Sequence, residues 1–124
     1  MEMVQHFFAH APKALPLFEA VKGAIVDLAP HAQIRVQKSQ IAFHDTRSFA
    51  YVWLPIRPDI KGRPKNYIVV SFGLDHKISN SRLVDVVEPY PNRRTHHLII
   101  ARTTDVDSQF RDWIQEAYAF SERK

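Results

Sequence analysis

The chain contains no cysteine. That absence removes disulfides, thiolate nucleophiles, zinc ribbons and iron–sulfur clusters together. Glycine is nearly absent as well, at 3 residues in 124, which leaves little room for a glycine-rich phosphate cradle. There is no G-x-S-x-G elbow and no H-E-x-x-H pair, so neither a hydrolase nucleophile nor a helical zinc site is spelled out. Long apolar runs are missing too. "ALPLFEAV" is interrupted by Pro16 and Glu19 and followed by Lys22, which fits neither a signal-peptide core nor a membrane span. With no repeat, low-complexity tract or linker in view, the expectation is one soluble, cytoplasmic domain over residues 1–124.

What is present is an ordinary globular composition punctuated by proline. Hydrophobic residues make up 45% and charged residues 24%, enough for a real core. Eight prolines mark the boundaries. The net charge of +4 is mildly basic, so the distribution of charge matters more than its total.

The hydrophobic period changes along the chain. "EMVQHFF" reads as a short lead-in helix. A longer helix starts near Pro16, because proline fits the first turn; Leu17, Val21, Ala24 and Leu28 recur at helical spacing, and Pro30 ends it. The period then becomes two. "QIRVQKSQIAF" reads as one strand, with Ser39 and Gln40 as a bend or bulge. "FAYVWLP" is apolar on both faces, as a central strand requires, with Phe49, Tyr51 and Trp53 on one side. "YIVVSFGL", "RLVDVV" and "HHLIIA" follow as strands. Thr104 and Asp107 resemble a capping box before a closing helix with the stripe Val106, Phe110, Trp113, Ile114, Ala117 and Phe120. The fold class is therefore α+β: a five-stranded, mainly antiparallel meander with N- and C-terminal helices packed on one face.

A meander puts the loops 56–65 and 89–95 at one edge. Arg57, Lys61, Arg63 and Lys65 would then join Glu88, Arg93, Arg94, His96 and His97. Guanidinium and ammonium groups in that number suit phosphate or carboxylate oxygens, although solvated loops are commonly charged in any case. The pair His96–His97 tempts a metal reading, but adjacent strand residues point to opposite faces, so the two imidazoles cannot share one ion. Asp59 and Asp75–His76–Lys77 imitate the halves of a metal-dependent nuclease signature; the strand between them separates the carboxylates by roughly 30 Å, too far to share a metal. No metal or cofactor is expected. The aromatic row Phe49, Tyr51 and Trp53, with Tyr67 nearby, is core if it lies under the helices, and a base-stacking platform or dimer patch if it faces out.

Three segments in order, "KSQIAF" (38–43), "FAYVWLP" (49–55) and "VVEPYPNRRTHH" (86–97), resemble a bacterial domain family of unknown function, also found fused to predicted transport and restriction-nuclease-like proteins. The resemblance implies a small α+β domain and supplies no catalytic residues. The candidate ligand surface is Lys38, Trp53, Glu88, Tyr90, Arg93, Arg94, His96 and His97. The leading expectation is a non-catalytic binding or accessory domain for a small anion or a nucleic-acid backbone, with no membrane association. Two alternatives stand beside it: an enzyme using His96 or His97 as acid/base with Glu88, and a structural subunit that forms a homodimer through an uncovered sheet face.

Overall fold

The computed structural model describes residues 2–55, 66–90 and 93–123. Helix α1 (Glu2–Phe7) leads through a short 3-10 turn into α2 (Leu15–Leu28), which has Pro16 in its first turn. Six strands follow: β1 (Gln33–Val36), β2 (Ile41–His44), β3 (Ser48–Trp53), β4 (Ile68–Leu74), β5 (Leu83–Tyr90) and β6 (Arg93–Ile100). Helix α3 (Ser108–Glu122) closes the chain. The class is α+β with an antiparallel sheet, as expected, but the sheet has six strands rather than five. The extra strand arises at Ser39–Gln40. These residues form a hairpin turn, with the Gln37 N–H bonded to the Gln40 carbonyl at 2.8 Å, so "QIRVQKSQIAF" folds back into β1 and β2 instead of running straight.

The strand order is β1-β2-β3-β4-β6-β5, which is not a meander. β4 pairs with β6, and β5 lies outside β6 at the sheet edge. The reason is chemical. Pro89 has no N–H to give to a ladder, so its strand suits an edge, whereas "HLIIA" is apolar on both sides and suits the interior. Exposed Val84 and Val87 (41% and 43%) and two register shifts in β5 agree with that edge position. The link 75–82 therefore crosses back over β6 on the helix side. Arg82 pins it there: its guanidinium donates to both Asp107 carboxylate oxygens (3.0 and 3.1 Å) and to the Asp105 carbonyl (2.7 Å), and lies 5.7 Å over the Trp113 ring.

The core lies between this sheet face and the helices. Phe18, Val21 and Ile25 of α2, Phe110, Trp113 and Ile114 of α3, and Val52, Val70, Phe72 and Leu98 of the sheet form one buried cluster. The α3 start differs from the Thr104 box. Thr103–Asp105 form a separate 3-10 turn, and Asp107 is the cap, accepting the Phe110 N–H at 3.0 Å. Asp is a strong capping residue, and this hydrogen bond holds its carboxyl below the ordinary range.

Candidate functional site

Strand alternation sorts β4 and β6 into two sets. Phe72, His96 and Leu98 are buried in the core on the helix side. Ser71, Gly73, Arg93, Thr95 and His97 belong to the other face. β3 contributes Tyr51 and Trp53 to that open face. Phe49 does not join them. A bulge between Phe43 and His44 leaves it as the extra residue opposite β2, and it turns under the helices against Tyr118, with ring centroids 4.9 Å apart. Tyr67 is buried as well. Among the described side chains, the open-face aromatics of β3 and β4 are thus Tyr51 and Trp53.

A cleft of about 460 Å³ runs along this face. The β1–β2 turn provides Ser39 and Gln40, β3 leads in with Tyr51 and Trp53, Leu54 follows just past its end, and Ser71, Thr95 and His97 form the floor. Three side chains are tied together inside it. Trp53 Nε1 donates to Ser71 Oγ at 2.7 Å, and Ser71 Oγ lies 2.7 Å from His97 Nδ1. The indole N–H can only donate, so it occupies a lone pair of the hydroxyl. The hydroxyl keeps a second lone pair and its own proton, so it can meet Nδ1 in either tautomer of His97. The Trp53 and His97 rings meet edge to face, at 5.8 Å and 86°.

His96 has the opposite arrangement. It is fully buried and stacks on Phe72 with centroids 5.3 Å apart. Its Nε2 accepts the Ile78 N–H at 3.0 Å, so Nδ1 carries the proton and donates to the Arg94 carbonyl at 3.1 Å. Burial pushes its pKa down. Adjacent histidines on one strand therefore serve opposite faces: His96 fixes the crossover and His97 lines the cleft.

The two arginines also diverge. Arg94 pairs with Glu88 at 3.1 Å. Arg93 lies on the open face, reclining across Gly73. A Cβ added to Gly73 would meet its guanidinium carbon and nitrogens at 2.5–2.6 Å, so the seat exists only because residue 73 lacks a side chain. Among the described side chains no carboxylate pairs with Arg93, and it flanks the cleft just beyond Thr95.

The strand exchange changes where the candidate residues lie. Leu74 pairs with Arg94, so Arg93, Arg94, Glu88 and Tyr90 lie at the sheet edge where β4 ends. The 56–65 link follows β3 and precedes β4, whose start pairs with Ile100 at the opposite end from Arg94. Asp59 and the four basic residues of that link lie outside the described residues. Lys38 is neither mid-sheet nor near Arg93. It tips the β1–β2 turn at the opposite edge, lining a groove against Met3 and His6 of α1. A second hollow, of about 470 Å³, lies beside Pro55, Asn66 and Tyr67. Asp75, at the end of β4, accepts from His76 at 2.7 Å, which holds its carboxyl below the usual range; His76 also meets Glu116 at 3.0 Å. Among the described residues no group of three or more His, Asp or Glu side chains is placed to hold a metal, and no helix is long and apolar enough to cross a membrane.

Ser71 and Thr95 of the cleft, and Gly73 beside it, are residues that the sequence reading did not single out, whereas Tyr51 was named in the aromatic row. Their signal was available: once Phe72 is assigned to the core, alternation sends 71 and 73 to the face of Tyr51 and Trp53.

The fold and site define a small α+β domain with helices on one sheet face and a polar–aromatic cleft on the other. The chain belongs to the family described as "Domain of unknown function (DUF5655)", whose model matches residues 3–121. No curated protein and no solved structure matches it.

Proposed function

We propose that this is a binding domain rather than an enzyme, and that its ligand is an anion held on the open face of the sheet. Arg93 carries the proposal. Its guanidinium is seated against the backbone at Gly73, on the cleft side and without a described carboxylate partner. A fixed fork of donors suits phosphate or carboxylate oxygens. Thr95 and His97 continue the row of polar groups into the cleft.

A catalytic reading has less support. Ser71 is 4% exposed and already accepts from Trp53, so it orients His97 rather than attacking a substrate. Glu88 is held by Arg94 and His96 is sealed in the core, so neither builds an acid/base pair with His97. A homodimer through this face fits less well too, since Arg93, Thr95 and His97 suit a polar ligand better than a second copy.

Thermal unfolding of the full chain tests the proposal, with inorganic phosphate, pyrophosphate and a short single-stranded oligonucleotide at two salt concentrations. Binding to the native state raises the midpoint, and Arg93→Gln should weaken that rise. No stabilisation by any of the three, or equal stabilisation of the variant, rejects the proposal.

A further inference from the structure

We infer that the anion is the phosphate of a nucleoside phosphate, with its base against Trp53 and Tyr51 and its phosphate on Arg93. This rests on the anion-binding reading above and names its ligand class.

The inference comes from spacing along one strand. Trp53 pairs in register with Val69, four residues before Gly73. Its indole leans toward Gly73, since Nε1 reaches Ser71 Oγ. The aromatic end and the guanidinium over Gly73 are thus ~7–13 Å apart, at the rise of an extended strand. Base and 5′-phosphate in a nucleoside monophosphate are separated by a distance in that range. A bare phosphate would use only the Arg93 end, and a purely aromatic ligand only the other.

The chemistry of the two ends matches. Tyr51 and Trp53 both line the cleft, and aromatic side chains on an open antiparallel face stack bases without needing to read them. His97, in register with Ser71, lies between the ends at the level of a ribose, and Thr95, in register with Gly73, stands beside the Arg93 end. Trp53 is held by its bond to Ser71, so its ring is oriented before a ligand arrives, which lowers the ordering cost of binding. The lone glycine of β4 supports the other end. Alanine is normally the better strand residue, yet a methyl group at 73 would displace Arg93 from its seat.

The same chemistry has two sources: a free nucleotide, or one unit of a single strand. Calorimetric titration of the full chain with adenosine monophosphate, ribose 5-phosphate, inorganic phosphate and a short oligothymidylate separates them. Adenosine monophosphate should bind roughly 5- to 150-fold tighter than ribose 5-phosphate, the range set by stacking one base on an aromatic side chain. Tyr51→Ala should reduce that ratio while leaving phosphate affinity unchanged. Gly73→Ala should fold normally, because only a flexible side-chain end must move, and should weaken every phosphate ligand. Arg111→Gln, far from the cleft on α3, should change none of them. Tighter binding of the oligothymidylate with steep salt dependence supports the inference and identifies the single strand as the source. Equal affinity for adenosine monophosphate and ribose 5-phosphate overturns the nucleoside assignment and leaves the anion site standing. Failure of all four ligands to bind overturns both.

Discussion

The buried imidazole of His96 accepts the backbone N–H of Ile78 across 3.0 Å, and this contact fastens the β4–β5 crossover to the strand beneath it. Its neighbour His97 points the other way, into the cleft. One histidine therefore serves the fold, and the other is placed to serve a ligand.

His96 should make stability depend on pH. Its folded pKa lies below the ordinary value of 6.5. The contribution is thus fully present above 6.5 and is lost as pH falls through the lower folded value. His96→Phe keeps the stack on Phe72 but strands the Ile78 N–H and the Arg94 carbonyl, at roughly 1–3 kcal/mol for each group left bare. Denaturant unfolding across this pH window should show the native slope disappear in the variant.

Ser71→Ala removes the middle of the Trp53–Ser71–His97 chain. The cost to stability should be about 1–3 kcal/mol, the penalty for stranding a buried donor. Ligand affinity should fall with it, because the indole is no longer oriented. Unfolding and titration on one preparation check both effects.

Asp107→Ala should cost about 0.5–2 kcal/mol, the usual worth of a helix N-cap. The native carboxyl has a lowered pKa, caused first by the Phe110 N–H and then by Arg82. Its contribution is present above 3.8 and is lost as pH falls through the folded value. Helical signal in acid should therefore decline earlier in the native protein than a cap-free reference predicts.

Tyr118 donates to Asp45 at 2.5 Å, tying α3 to the β2–β3 turn. That bond pushes the phenol up to about 12. Its stabilisation is present below 10 and is lost as pH rises through about 12. In a spectrophotometric titration of the four tyrosines, one should ionise near 12, and Tyr118→Phe should remove that step.

Much of this was legible in the residues, and the failures have physical causes. Period-two and helical spacing located the helices and most strands, including the apolar stripe of α3. The sheet order was misread because a short link implies a hairpin, whereas "DHKISNS" crosses over one strand. Pro89 and the doubly apolar "HLIIA" carried the correct information about edge and centre. The hairpin at Ser39–Gln40 was read as a bend because the flanking alternation continues across it. His96 and His97 were correctly split between faces by strand geometry. Which one faced a site depended on the position of the helices, and the sequence pattern did not settle that. Gly73 drew no reading of its own from the sequence, yet it is the seat of Arg93.

Amide and indole N–H chemical-shift mapping during titration with adenosine monophosphate tests the central claim most directly. The Trp53 indole N–H and the amides of Tyr51, Ser71, Gly73, Thr95 and His97 should move together and saturate. The Trp113 indole, 8% exposed on the core side, should stay in place. Shifts confined to the Lys38 groove, or a Trp53 indole that does not respond, would contradict a ligand site on the open face.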